Sequence, residues 1–276
     1  MIISSVSMVM AVQEKMNDVL HGFILKQIDY KDASVILTFL SEEYGKISLV
    51  ANGVRKASSK NAGRVIPYTK AQCLIDYQDG RTMYTLKNVS TIKTYKNMHM
   101  DLERSTASAI IAEIADKFVM NGEESEYYKD VYACIDQCYA CIENGGDVLT
   151  IITLFCSDIM KYFGIAADVD ECVHCGSRLV SALSIKEGGF LCKSCASLLN
   201  VPCTDLSDLK RFRLLSKASI RNYDVIIKSC HVSYRDLKTF IEMITVHTGI
   251  KITSFGLFER LFAIEGAPKL DEVSRN

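Results

Sequence analysis

Cys172-x2-Cys175 and Cys192-x2-Cys195 stand sixteen residues apart in the stretch ECVHCGSRLVSALSIKEGGFLCKSC. This pattern restricts folding more than any other in the chain, because it names four points that must meet. Each C-x2-C turn aims two sulfurs at one place, and two such turns close a tetrahedron, the four-thiolate zinc pattern. Gly176 lets the first turn tighten, and Gly188-Gly189 reverse the chain so that the second turn reaches the first. Four thiolates leave no position for water, so the expected ion is one structural Zn2+ and not a catalytic one. His174, between the first two cysteines, is expected to face solvent.

The other cysteines need a different explanation, since the chain has eleven among 276 residues. MIISSVSMVMAVQEKMNDVL has no Lys or Arg before Lys15, so it lacks the basic start of a secretory leader and reads as an N-terminal extension. A disulfide lattice is therefore not expected, and a cytosolic location is. No run approaches the apolar length of a membrane span. Cys134, Cys138 and Cys141 follow C-x3-C-x2-C, the spacing that cradles an iron–sulfur cluster in radical enzymes using S-adenosylmethionine. Here the triplet falls within a helix pattern, where i, i+4 and i+7 share one face, and it is read as core thiols.

Charge is unevenly spread behind a formal total of −1. Residues 1–100 carry 13 basic and 8 acidic side chains, 101–170 carry 4 and 14, and 171–276 carry 15 and 11. Within 44–96 ten basic residues face only Asp76 and Asp79. A basic first module suits a polyanion, and an acidic middle suits a solvated helical body.

From Gly22 to about Val89 the signals are those of strands. GFILKQIDY, ASVILTFLS and KISLVANG are rich in β-branched and aromatic residues, with Gly45 in EEYGK at the expected positive-φ turn position. Asp79-Gly80 between two further strand patterns signals a hairpin. Some five short strands with no crossover helix are most simply satisfied by a small closed barrel. Between the third and fourth strands, GVRKASSKNAGRVIPY carries Arg55, Lys56, Lys60 and Arg64 with no acid, which suits backbone phosphates. Tyr30, Tyr44, Tyr68, Tyr77 and Tyr84 are interleaved, and Tyr44 and Tyr68, flanking turns, are the candidates for stacking on bases.

DLERSTASAIIAEIADKFV, EYYKDVYACIDQCYACIE and DVLTIITLFCSDIMKYFGI repeat apolar residues at helical spacing. After the cysteine motif, Lys210, Arg211, Arg213, Lys217 and Arg221 form a second cationic stretch, a candidate surface for DNA or an acidic partner. No catalytic set is present: there is no G-x-x-x-x-G-K-[ST], no G-x-S-x-G and no H-E-x-x-H, and the five histidines show no ligand spacing. A binding protein, not an enzyme, is expected.

HGFILKQIDYKDASVILTFLSEEYGKISLVANGVRKASSK resembles the opening of bacterial RecO, the recombination mediator family. GIAADVDECVHCGSRLVSALSIKEGGFLCKSC is similar to that family's zinc segment, and VHTGIKITSFGLFERL to its closing region, so the likeness runs from Met16 to Leu261. It departs at the N-terminal extension and in NAGRVIPYTK. The resemblance implies an α+β multidomain chain: an extension (1–20), an OB-fold barrel (21–98), a helical domain (99–170 and 197–276) and an inserted four-cysteine zinc module (171–196). It also implies binding of ssDNA and dsDNA, annealing of complementary strands, association with RecR, and contact with the C-terminal tail of single-strand-binding protein (SSB). Help in loading RecA, and a cytoplasmic, nucleoid-associated setting, follow in the same way. Some members lack the cysteines, which implies a scaffold role for the zinc. The rival reading is a zinc-stapled adaptor that binds proteins without touching DNA.

Overall fold

Alternation of buried and half-exposed residues shapes the first hundred positions. In the computed structural model, which describes residues 16–56, 58–77, 81, 83–121 and 127–265, five strands close into a barrel in the order β1-β2-β3-β5-β4. The strands are β1 (Met16–Tyr30), β2 (Ser34–Ser41), β3 (Gly45–Ala51), β4 (Lys70–Tyr77) and β5 (Met83–Lys93). β3 turns Ile47, Leu49 and Ala51 inward and Lys46, Ser48 and Val50 outward. It pairs parallel with β5, Ser48 opposite Met83, whereas the other neighbours are antiparallel.

Closure depends on β1, which starts at Met16, ahead of the expected boundary at residue 21, and pairs with β4 along its first half and β2 along its second. At the changeover Gly22 faces both Ser41 and Ala71. A Cβ there would lie 2.2 Å from the Leu40 carbonyl oxygen and 2.7 Å from the Phe39 ring, so only glycine fits. Gly45 turns β2 into β3 with φ +67°, as expected of the EEYGK turn. The expected Asp79-Gly80 hairpin lies outside the described residues, as do residues 1–15 of the extension and 266–276 at the other end.

Leu20, Ile24, Leu37, Phe39, Leu49, Ile75 and Val89 fill the barrel, and Val54 and Val65 from the β3–β4 loop join them. Phe23, Leu25 and Leu40 belong instead to the helical core. Strand β1 is therefore buried on both faces, which explains the unbroken apolar run FIL. Phe23 packs against Tyr132 at 5.1 Å and edge-on to Tyr139 at 5.6 Å between ring centroids. Across this seam Lys46 pairs with Asp116 at 3.0 Å and Lys70 with Asp136 at 3.1 Å. The Lys70 ammonium also sits over the rings of Phe23 and Tyr132.

The helical body comprises α1 (Lys96–Met100), α2 (Leu102–Phe118), α3 (Tyr127–Glu143) and α4 (Val148–Tyr162), then α6 (Leu206–Lys217), α7 (Tyr223–Ser229), α8 (Tyr234–Thr248) and α9 (Phe255–Glu265). Every residue of α4 from Val148 to Met160 is buried, so α4 is the axis on which the others pack. Asp147 starts it by accepting a bond from the Thr150 amide at 2.8 Å. Cys134 and Cys138 are buried in α3, and Cys141 half-buried, in agreement with the core reading. Burial pushes the Cys134 thiol up to about 12 and the Cys138 thiol well above its ordinary value, so neither is a ready thiolate. Between α4 and α6 the chain leaves the body as a hairpin of β6 (Val180–Ser184) and β7 (Gly189–Cys192), followed by α5 (Lys193–Leu198).

Candidate metal centre and nucleic-acid interface

The sulfurs of Cys172, Cys175, Cys192 and Cys195 all lie within 4.8 Å of one another. Cys175 and Cys192 are 3.6 Å apart, close to the roughly 3.8 Å edge of a tetrahedron with bonds of ~2.3 Å. Backbone geometry builds this. Gly176 (φ +70°) bonds its amide to the Cys172 carbonyl at 2.9 Å, and Gly188 (φ +77°) turns the β6–β7 hairpin. Gly189 runs so close to Asp168 that a Cβ would lie 2.3 Å from its carbonyl oxygen. His174 is outside the cluster, bonded to Glu187 at 2.8 Å.

Electrostatics in the cluster favour a cation. Burial opposes ionisation of Cys172, but the amides of Cys192, His174 and Cys175 outweigh it and bring that thiol down to about 6. Cys195 is pushed up to about 12 by the sulfurs of Cys192 and Cys175. Four sulfurs this close cannot all carry charge unaided, and a central dication would hold all four as thiolates. The donor set therefore fits a metal ion.

On the barrel, the basic loop is anchored by its buried valines and by the β1–β2 turn. The Arg55 amide bonds to the Ala33 carbonyl at 3.0 Å, and its guanidinium pairs with Asp29 at 2.9 Å. Arg64 reaches the Val89 carbonyl at 3.3 Å and, among the described residues, makes no ion pair. Lys56 and Lys60 are exposed and, among the described residues, make no ion pair.

The two tyrosine candidates are engaged elsewhere. Tyr44, 40% exposed, lies in the β2–β3 turn, at the other end of β2 from Arg55 and the start of the loop. It stacks on Tyr77 at 5.0 Å, Tyr77 stacks on Tyr84 at 5.3 Å, and the Tyr44 hydroxyl donates to Asp18 at 3.0 Å. Burial and the Asp18 carboxylate push that hydroxyl up to about 12. Tyr68, with φ +63°, is half-buried at the seam, stacked on His99 and edge-on to Tyr139.

The second cationic stretch is largely tied up. Arg211 bonds Asp236 at 2.9 and 3.0 Å and Asp208 at 2.7 Å. Arg213 and Lys217 both hold Asp170 at 2.6 Å, which fastens the start of the cysteine module to α6. Lys210 and Arg221 remain exposed. The role of Asp29 beside Arg55 was not visible in the sequence. Only the strand register, which brings the end of β1 beside the β3–β4 loop, reveals it.

A five-stranded barrel of this order, with a cation-bearing β3–β4 connection and a helical body behind it, has the OB-fold architecture. Two family models match: Recombination protein O N terminal over residues 16–95 and Recombination protein O C terminal over 99–225. Similar curated proteins named DNA repair protein RecO include that of Desulforamulus reducens, 28% identical over 181 residues, covering 64% of this chain and 68% of the relative. That of Bacillus pumilus is 27% identical over 177 residues (64% and 67%), and that of Halalkalibacterium halodurans 26% over 175 (63% and 67%). The chain belongs to the RecO family of DNA repair proteins. Among the described residues no helix is long and apolar enough to cross a membrane.

Proposed function

We propose that this protein binds single- and double-stranded DNA through the β3–β4 loop and speeds annealing of complementary strands. The carrying observation is the pair of exposed cations Lys56 and Lys60, without an ion pair among the described residues, beside Arg55 and Arg64 on a loop whose ends are pinned into the barrel. Phosphates neutralised at one cationic surface repel a second strand less, so two strands can approach there. Lys210 and Arg221 extend the cationic area onto the helical body. Tyr68 serves as packing in the seam. Tyr44 is too far along the barrel to share a nucleotide with the Arg55 end of the loop: the seven residue steps of β2 span roughly 23 Å.

The four-cysteine site is assigned one Zn2+, which fits four thiolates with no open position. Its role is to shape the module that Asp170 fastens to α6. Association with RecR, contact with the SSB tail, and help in loading RecA rest on family membership, as does a cytoplasmic, nucleoid-associated setting.

Lys56→Ala/Lys60→Ala tests the reading in a salt titration with a labelled single strand. Two lost phosphate contacts lower the slope of log K against log salt by about 1.4, which is about tenfold weaker binding at about 200 mM salt. Equal affinity and slope in the double variant would move the site off this loop. Failure of the wild-type protein to bind at low salt would favour the protein-only adaptor.

A further inference from the structure

The outer face of the barrel beside the basic loop can be read row by row from the register. Lys26, Thr38 and Ser48 form one row, Ile28, Ile36 and Val50 the next, and Tyr30 and Ser34 the last, with Asn52 just beyond β3. The middle row is aliphatic, and Ile28 is 49% exposed. Aliphatic side chains offer a strand little to stack on, so base contact on this face falls to its one ring among the described residues, Tyr30. That ring is half-buried, and the Lys31 ammonium lies over it, 5.0 Å from the centroid.

Lys31 holds this place by an unusual backbone. Its φ of +50° is a left-handed conformation that side chains other than glycine, asparagine and aspartate adopt only at a cost. The turn is fixed from the loop side: the Arg55 amide bonds Ala33, the Gly53 amide bonds the Ser34 hydroxyl at 3.3 Å, and the Arg55 guanidinium pairs with Asp29. Tyr30 and Lys31 thus stand on the same rigid platform as the loop cations, with Asp29 and Asp32 as the acids beside them.

We propose that Tyr30 is the base-stacking ring of this surface and that Lys31 covers it in the free protein. A nucleobase displaces the ammonium from the ring face, and the freed lysine neutralises the adjoining phosphate. The ligand is a single strand, because a paired base presents no open face. This rests on the DNA-binding reading above and adds to it a ring and a cation that cooperate on one nucleotide.

The chain contains no tryptophan, so Tyr30→Trp provides a sole indole reporter. Adding unlabelled oligothymidylate should quench its emission with the same midpoint as binding measured by anisotropy. Tyr30→Leu should weaken binding by about five- to 150-fold while leaving the salt slope unchanged. Lys31→Asn, which keeps a residue tolerant of the positive φ, should lower that slope by about 0.7. Thermal unfolding of each variant checks that the fold is intact, and Tyr30→Leu serves if Tyr30→Trp does not fold. Undiminished binding with an unquenched indole, or wild-type affinity in Tyr30→Leu, would overturn the assignment. An unaltered slope in Lys31→Asn would remove the lysine from it. Loss of binding by the wild-type protein itself would instead count against the DNA-binding reading.

Discussion

Asp29→Asn should make this protein bind DNA more tightly, and the size of the gain follows from the Arg55 pair. The two side chains meet at 2.9 Å with 43% and 69% of their surfaces exposed. An exposed pair of this kind stabilises a fold by only ~0–1 kcal/mol, so removing it should shift the melting temperature by a few degrees at most. Its effect on a polyanion is larger. A phosphate approaching Arg55 meets a pair of zero net charge, whereas the asparagine variant offers an uncompensated guanidinium. One further phosphate contact on a single strand steepens the salt slope by about 0.7, or about eightfold tighter binding at about 50 mM salt and threefold at about 200 mM. The two proteins should converge as salt approaches about 1 M. Anisotropy with a labelled oligonucleotide over that range measures both quantities. Unchanged or weaker binding by a normally folded Asp29→Asn protein would refute the claim that Asp29 competes with DNA for Arg55.

Three further outcomes follow. Metal removal with a chelator at neutral pH should lower the melting temperature and bring Phe190 and Leu191, now buried, into reach of proteases; equal protease sensitivity with and without metal would argue against a structural ion. Glu113 should matter less to stability as the solution is acidified. Burial opposes its ionisation, but bonds from Lys117, Ser254 and Thr253 hold it down at about 2, so its contribution is complete above about pH 4.3 and is lost as pH falls toward 2. Melting curves of wild type and Glu113→Gln should therefore differ at pH 6 and converge near pH 2. Finally, alkylation of the native protein should modify exposed Cys203 and spare Cys73, Cys134, Cys138 and Cys156; rapid labelling of Cys138 would contradict its place in the core.

Features carried by short spacings were legible in the sequence. The two C-x2-C turns, the alternation of β3 and the helical periods of α3 and α4 each state their geometry within a few residues. Features set by distant partners were not. Asn17 and Asp18 hid the start of β1, because what makes that stretch a strand is its pairing with Tyr77, Asp76 and Ile75 on β4. Arg213 and Lys217 read as a free cationic surface, yet Asp170, which occupies both, lies 43 and 47 residues earlier. Arg211 is held by Asp236, 25 residues later. Tyr68 flanks a turn as the sequence suggested, but its ring direction follows from a positive φ and from His99 on α1.

The uneven charge of the chain takes on a different meaning once these partners are known. The basic excess in 44–96 and the acidic excess in 101–170 partly answer each other, because Lys46 and Lys70 cross the seam to Asp116 and Asp136. Lys87 is matched within the barrel by Asp76, and Lys93 lies over the Tyr95 ring at 4.9 Å. Part of the apparent polycation is thus already engaged within the fold, Lys46 and Lys70 beneath the seam and Lys87 and Lys93 at the surface, and a surface estimate from net charge alone would be too strong. Within 44–96, and among the described residues, three of the cations without an ion pair, Lys56, Lys60 and Arg64, stand together in the β3–β4 loop, with Arg55 one substitution away. A polyanion bound there meets few charges at defined places, and for that reason single changes such as Asp29→Asn should register in both affinity and salt slope.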